Sequence, residues 1–279
     1  MTLPPCADPA ATCAGACVGL GASAPAATRG WLLIEHAGPW PAFGYPSDLP
    51  AGLARSAERL LGHGVRPQLI RRTDRLGRRG DGVRAVFLAG GDAAGSTWIE
   101  RVDPALLTDR HPGSRLNSAT FRTAQAPGLG RAAGPLLLVC THGRREVSCA
   151  RFGRPVAVAL AARFGPLVWE TTHVGGDEFA ANLVLLPEGA YFGRLDPRQA
   201  VIVAERALAG ELELDAYRGT AGRSAGAQAA ESQLRHTLGE RSLATLRPLP
   251  PCAPDVHCFI HIQPDGARRH YEVPVTSAG

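Results

Sequence analysis

The chain has 279 residues, of which 45% are hydrophobic and 20% charged. That balance supports one large domain or two ordinary ones and excludes a disordered chain. All thirty basic residues are arginine, and Ala, Gly and Pro are abundant, which reads as the imprint of a GC-rich coding sequence. The net charge of +5 is mild, whereas a nucleic-acid binder would gather its charge in a stripe interleaved with aromatics. The densest run (Arg71, Arg72, Arg75, Arg78, Arg79) lies among Gly and Asp and reads as a solvated loop, or alternatively as a docking surface for an acidic partner. No apolar run approaches the ~20 residues of a membrane span. The start, Met-Thr-Leu-Pro-Pro-Cys, lacks the charged and apolar regions of a secretory signal, so a cytoplasmic location is expected. The seven cysteines are then expected to be reduced, metal-bound or catalytic, and not structural disulfides.

The first 28 residues, with Cys6, Cys13 and Cys17, show no strong periodicity and read as a lead-in. Trp31-Leu32-Leu33-Ile34 is a buried-strand signal. Residues 49–63 follow a helical pattern with Leu53, Ala57, Leu60 and Leu61 on one face and Asp48 as the expected cap. Residues 68–70 and 83–88 read as strands, and 97–102 returns as a hairpin partner after the Gly90-Gly91-Asp92 turn. Residues 124–134 read as a linker. A second apolar strand follows at 136–139, then a helix near 154–164 with Pro155 in its first turn. Residues 167–170 and 179–186 are strand-like, and 191–195 returns after the Pro187-Glu188-Gly189 turn. Asp196-Pro197 then opens a helix as N-cap and first residue, with Val201, Ala204 and Leu208 on one face and Gly210 at its end.

The two halves repeat the order strand, helix, strand, hairpin, which resembles the thioredoxin fold. The expected fold is α/β, with two thioredoxin-like halves. Residues 1–123 form the N-terminal half without a visible metal site, 124–134 the linker, and 135–279 the half that carries the chemistry.

That chemistry lies between Cys140 and Asp177. Cys140 ends an apolar strand, and Cys149 follows as the second member of a Cys-x8-Cys pair. Arg144 and Arg145 in the loop would favour thiolates. His173 and Asp177 flank the flexible Val174-Gly175-Gly176 turn, and imidazole and carboxylate are both competent iron or zinc ligands. Residue by residue, a buried cysteine, a hydrogen-bonded histidine and an ordinary turn aspartate remain alternatives.

Residues 140–150 (Cys-Thr-His-Gly-Arg-Arg-Glu-Val-Ser-Cys-Ala), Trp-Glu-Thr-Thr-His-Val-Gly-Gly-Asp-Glu-Phe-Ala-Ala-Asn-Leu, and Leu-Pro-Glu-Gly-Ala-Tyr-Phe-Gly-Arg-Leu together resemble the sucrase/ferredoxin-like family. Weaker similarity extends to residues 31–40 and to Tyr217-Arg218-Gly219. The family contains thioredoxin-like ferredoxins with a [2Fe–2S] cluster. The resemblance implies Cys140 and Cys149 as the ligand pair and His173 as the first histidine of a His-x-Gly-Gly-His motif. Asp177 stands where that motif has its second histidine, which leaves the fourth ligand open among Asp177, Cys252, Cys258 and His142, the last read as a hydrogen-bonding neighbour of the site. Cys252 and Cys258 otherwise read as packing residues. Many relatives also carry two adjacent cysteines where this chain has Ser148-Cys149.

The resemblance implies an electron-transfer protein with a protein redox partner. A set of two thiolates, one imidazole and one carboxylate would place its potential between those of Rieske centres and plant-type ferredoxins. A thioredoxin-like oxidoreductase and a structural zinc module using the same residues are the rivals. A sugar hydrolase is not expected, because no local pair of carboxylates identifies itself.

Overall fold

The computed structural model describes residues 20–74, 83–92, 95–107 and 116–275. Cys6, Cys13 and Cys17, together with Arg75, Arg78 and Arg79, lie outside the described residues.

The first half runs β1 (Gly30–Glu35), α1 (Ala51–Leu61), β2 (Val65–Arg71), β3 (Val86–Gly91) and β4 (Thr97–Val102). β1 is buried along its whole length, as its unbroken apolar run requires. α1 buries Leu53, Ala57 and Leu60. Asp48 does not cap it: the N-cap is Pro50 without a side-chain bond, and Asp48 instead contacts His36 Nε2 at 3.1 Å. A short strand, β5 (Arg131–Ala132), lies within the stretch read as a linker and pairs with β4.

The second half runs β6 (Leu136–Cys140), α2 (Val147–Phe164), β7 (Val168–Thr171), β8 (Leu183–Leu186), β9 (Ala190–Phe192) and α3 (Pro197–Leu208). α3 opens on the expected Asp196, which forms a capping box with Gln199. α2 starts at Val147, well before the predicted 154, so Pro155 lies in its interior. Proline there removes one backbone hydrogen bond. The buried face of Cys149, Val156, Ala157 and Leu160 sustains the helix through it. β8 likewise starts later than expected, because Asp177–Phe179 form a 3-10 turn.

In each half the first two strands are parallel, the third is antiparallel to the first, and the fourth is antiparallel to the third. β2 and β7 join the halves edge to edge, with Ile70 opposite Thr171 and Arg71 opposite Glu170. With β10 (Tyr217–Thr220) beside β9, this makes one ten-stranded mixed sheet. α4 (Ala225–Leu238) packs on a second, three-stranded sheet of β11 (Leu246–Pro248), β12 (Val256–Ile262) and β13 (Arg268–Pro274) through Ala230, Leu234, Phe259 and Val273. The protein is thus mixed α/β, with a large sheet and a small one. One core cluster draws residues from both halves, including Trp31, Phe87, Trp169 and Tyr191, and contains Cys140 and Cys149. No helix among the described residues is long and apolar enough to cross a membrane.

Candidate metal centre

Cys140 is the last residue of β6, and Cys149 sits in the first turn of α2. Gly153 explains why helix and strand approach so closely: a Cβ there would lie 2.0 Å from the Cys140 carbonyl oxygen. The late start predicted for α2 put Cys149 in a loop, whereas the helix itself carries it to Cys140. Both sulfurs are buried. His173, in the loop after β7, completes a group whose ligand atoms all lie within 4.8 Å of one another. Its Nδ1 is 3.6 Å from Cys149 Sγ.

Asp177 stands outside that group. Its carboxylate lies 3.7 Å from the opposite ring nitrogen, His173 Nε2. The side chains of His173 and Asp177 both reach solvent, 21% and 45% exposed.

The Cys140 thiol is held well below its usual pKa. The largest cause is a hydrogen bond from Cys149; His173 and the backbone amides of His142 and Val174 also favour the thiolate, against the cost of burial. The Cys149 thiol is pushed up, because its proton is engaged by Cys140 and because burial and the Cys140 charge disfavour a second anion. Of the two sulfurs, Cys140 is therefore the one whose anion the surroundings favour.

Both ring nitrogens of His142 are engaged in hydrogen bonds. Its Nε2 bonds the Pro41 carbonyl at 2.9 Å, and its Nδ1 accepts from the His173 amide at 3.3 Å, an arrangement that requires the neutral tautomer protonated on Nε2. Burial lowers its pKa to match. Below the site, Glu170 is buried against Arg71 at 2.7 Å and accepts from Thr141 Oγ1 at 3.0 Å. Arg72 stacks over Trp169 with its Cζ 3.5 Å from the ring centroid. Arg71 and Arg72 are thus packed against the sheet and not held in a solvated loop, and Arg71 also lines a cleft beside His142.

The loop carrying His173 is clamped from both halves. Arg66 Nη2 donates to the His173 carbonyl at 3.0 Å, and Gln68 Nε2 to the Thr172 and His173 carbonyls at 3.3 and 3.2 Å. From β10, Arg218 donates to Gly175 O at 3.1 Å and to Asn182 Oδ1 at 2.7 Å, while Asn182 Nδ2 holds Gly176 O at 2.7 Å. The sequence alone did not single out Arg66 or Gln68, and it offered Asn182 and Arg218 only within the stretches that carry the family resemblance. The Gly175-Gly176 pair was the available signal, since glycines mark close approach of another group.

Residues 83–219 match the sequence model of the sucrase/ferredoxin-like family. The match covers just under half of the chain, which is thus similar to that family over this segment. The matched segment contains Cys140, Cys149, His173, Asp177, Asn182 and Arg218, whereas Arg66 and Gln68 lie before it. No match is found among curated proteins or among solved structures.

Cys252 and Cys258 belong elsewhere. Against the expectation of reduced cysteines they are joined as a disulfide, on the three-stranded sheet and apart from the Cys140 group. The turn between them brings the two chain positions together, with Cα atoms 5.9 Å apart.

Proposed function

We propose that this protein is an electron carrier holding a [2Fe–2S] cluster through Cys140, Cys149, His173 and Asp177, built on two thioredoxin-like halves. The observation that carries the reading is the convergence of the buried Cys140 and Cys149 with the part-exposed His173 inside the segment that matches a sucrase/ferredoxin-like family. Such a cluster supplies a one-electron couple when bound.

The surroundings fit an anionic resident. Arg218 is fully buried, and its hydrogen-bond partners are all neutral: Ser23 Oγ and O, Gly175 O and Asn182 Oδ1. Burial lowers its pKa to about 10, with Cys140 among the anions that oppose the shift, so it stays cationic at neutral pH. A buried cation is costly without compensation. Two thiolates and a carboxylate around a doubly positive core leave one negative charge, which Arg218 balances. His142 excludes a competing proton by staying neutral, and the clamps from Arg66, Gln68 and Arg218 fix the imidazole.

The His173 Nε2–Asp177 contact favours a second arrangement, in which Asp177 accepts a hydrogen bond from the imidazole and orients it while Nδ1 faces the sulfurs. A thiol oxidoreductase is disfavoured, because both sulfurs are too buried for a protein disulfide to reach.

The partner surface in this reading lies where α2 begins. Phe43 and Val147 are 76% and 71% exposed, Arg145 stacks over Phe43, and Arg144 and Arg154 line a cleft of about 360 Å³ beside His142. Arginine around exposed apolar residues suits an acidic protein partner. Anaerobic purification followed by EPR after reduction tests the reading. A rhombic spin-1/2 signal, absent in Cys149→Ser, is expected; a colourless zinc protein would refute it.

A further inference from the structure

A second group of metal-ligating side chains lies on the three-stranded sheet. Cys252, Cys258 and Glu272 place their ligand atoms within 4.8 Å of one another. The arrangement is held by the backbone. Cys252 N donates to Val256 O at 3.1 Å, Val256 N donates to Ala253 O at 3.1 Å, and Asp255 takes a left-handed conformation with φ 58°. Leu249 N donates to Cys258 O, and Val275 N to Asp255 O, both at 2.8 Å. Glu272 is the direct cross-strand partner of Cys258 in the β12–β13 register. Phe259 and Val273, the adjacent residues, point into the core with α4, so Cys258 and Glu272 occupy the opposite face. Cys252 is exposed and Cys258 half-buried.

A bond closing so short a loop constrains the unfolded chain little, which leaves a structural role for the cross-link weak. The backbone bonds would keep both thiols side by side once the disulfide opened. Two thiolates and a carboxylate form a sulfur-rich donor set of the kind that selects zinc among the divalent ions.

We propose that Cys252, Cys258 and Glu272 form a redox-gated zinc site, closed in the disulfide form and open in the dithiol form. A dithiol reductant passes two electrons and two protons to the Cys252–Cys258 bond and itself becomes a disulfide. Zinc then displaces the two thiol protons and takes Glu272 as its third protein ligand, leaving one position to water. A disulfide oxidant reverses the exchange: Cys252–Cys258 re-forms, the oxidant leaves as two thiols, and the metal is released.

Cobalt(II) serves as the spectroscopic probe, added to the reduced, chelator-treated full chain. The thiolate-to-cobalt band is expected in Cys140→Ser/Cys149→Ser and is expected to vanish in that variant on oxidation by a disulfide and return on reduction. A Cys252→Ser/Cys258→Ser variant is expected to lose this redox-gated component. Glu272→Gln should weaken binding at least tenfold. Independently of any variant folding, cobalt should protect Cys252 and Cys258 of the unmutated chain from alkylation, read by mass spectrometry. Absence of that protection, absence of the band in Cys140→Ser/Cys149→Ser, or unchanged affinity in Glu272→Gln would overturn the proposal.

Discussion

Arg218 occupies the space that a side chain on Gly176 would need. A Cβ at Gly176 would lie 2.1 Å from Arg218 Nη2, and Gly176 has φ +72°, in the region that favours glycine. The loop between His173 and Asp177 is therefore fitted around a buried guanidinium. Gly176→Ala should displace Arg218 and loosen the ligand loop. Arg218→Met should leave Asn182 Oδ1, Gly175 O and Ser23 O without their donor, at roughly 1–3 kcal/mol for each buried group left unpaired. Both variants should show a lower melting temperature and lose iron on desalting. Arg218→Lys, which keeps the charge but not the fork of donors, should fall between them and the wild type. Wild-type iron content in Arg218→Met would remove the guanidinium from the account.

The contribution of Asp177 is open to a charge test. If its carboxylate is a ligand, Asp177→His replaces an anion by a neutral imidazole, and a less negative site accepts an electron more readily. The reduction potential should rise and the EPR line shape should change. Protein-film voltammetry of both forms reads the difference. An unchanged spectrum in Asp177→Ala would instead leave Asp177 as the hydrogen-bond partner of His173.

Gln68 tests the dependence of the site on the other half. Its amide, buried on β2, holds the Thr172 and His173 carbonyls. Gln68→Leu removes these bonds at a cost of about 1–3 kcal/mol. It should accelerate iron release to a chelator several-fold while the far-ultraviolet circular dichroism stays the same. Release at the wild-type rate would show that the second half holds its loop alone.

Glu231 provides a pH test away from the metal centre. Burial alone would raise its pKa, but Arg223 and Arg235 together hold it below the usual carboxylate value. A depressed carboxylate stabilises the fold above its unfolded pKa, near 4.5, and that contribution is lost as pH falls through the lower folded value. Glu231→Gln should cost about 3–5 kcal/mol at neutral pH, because two arginines are left without their buried partner. The deficit relative to wild type should shrink as the pH is lowered below 4.5. Thermal melts across that range measure it.

The apolar strands at 31–34 and 136–139 and the Asp196-capped helix were legible because each depends on local pattern. The grouping of Cys140, Cys149 and His173 was legible from motif and spacing. The start of α2 was not: Pro155 signals a first turn locally, and only burial against Cys140 through Gly153 reveals the longer helix. Arg66 and Gln68 were also hidden, because the β2–β7 pairing that brings them to His173 joins segments about a hundred residues apart in sequence. The Cys252–Cys258 pairing depends on a turn with Asp255 in a left-handed conformation, which the residues between them do not announce.

The cluster is tested by measuring iron and acid-labile sulfide per chain in anaerobically purified protein, with Mössbauer spectra of an iron-57 sample. Two irons and two sulfides per chain, with the two irons spectroscopically distinct as unlike ligand pairs require, are predicted. A chain that carries zinc, a single iron without sulfide, or no metal would contradict the account.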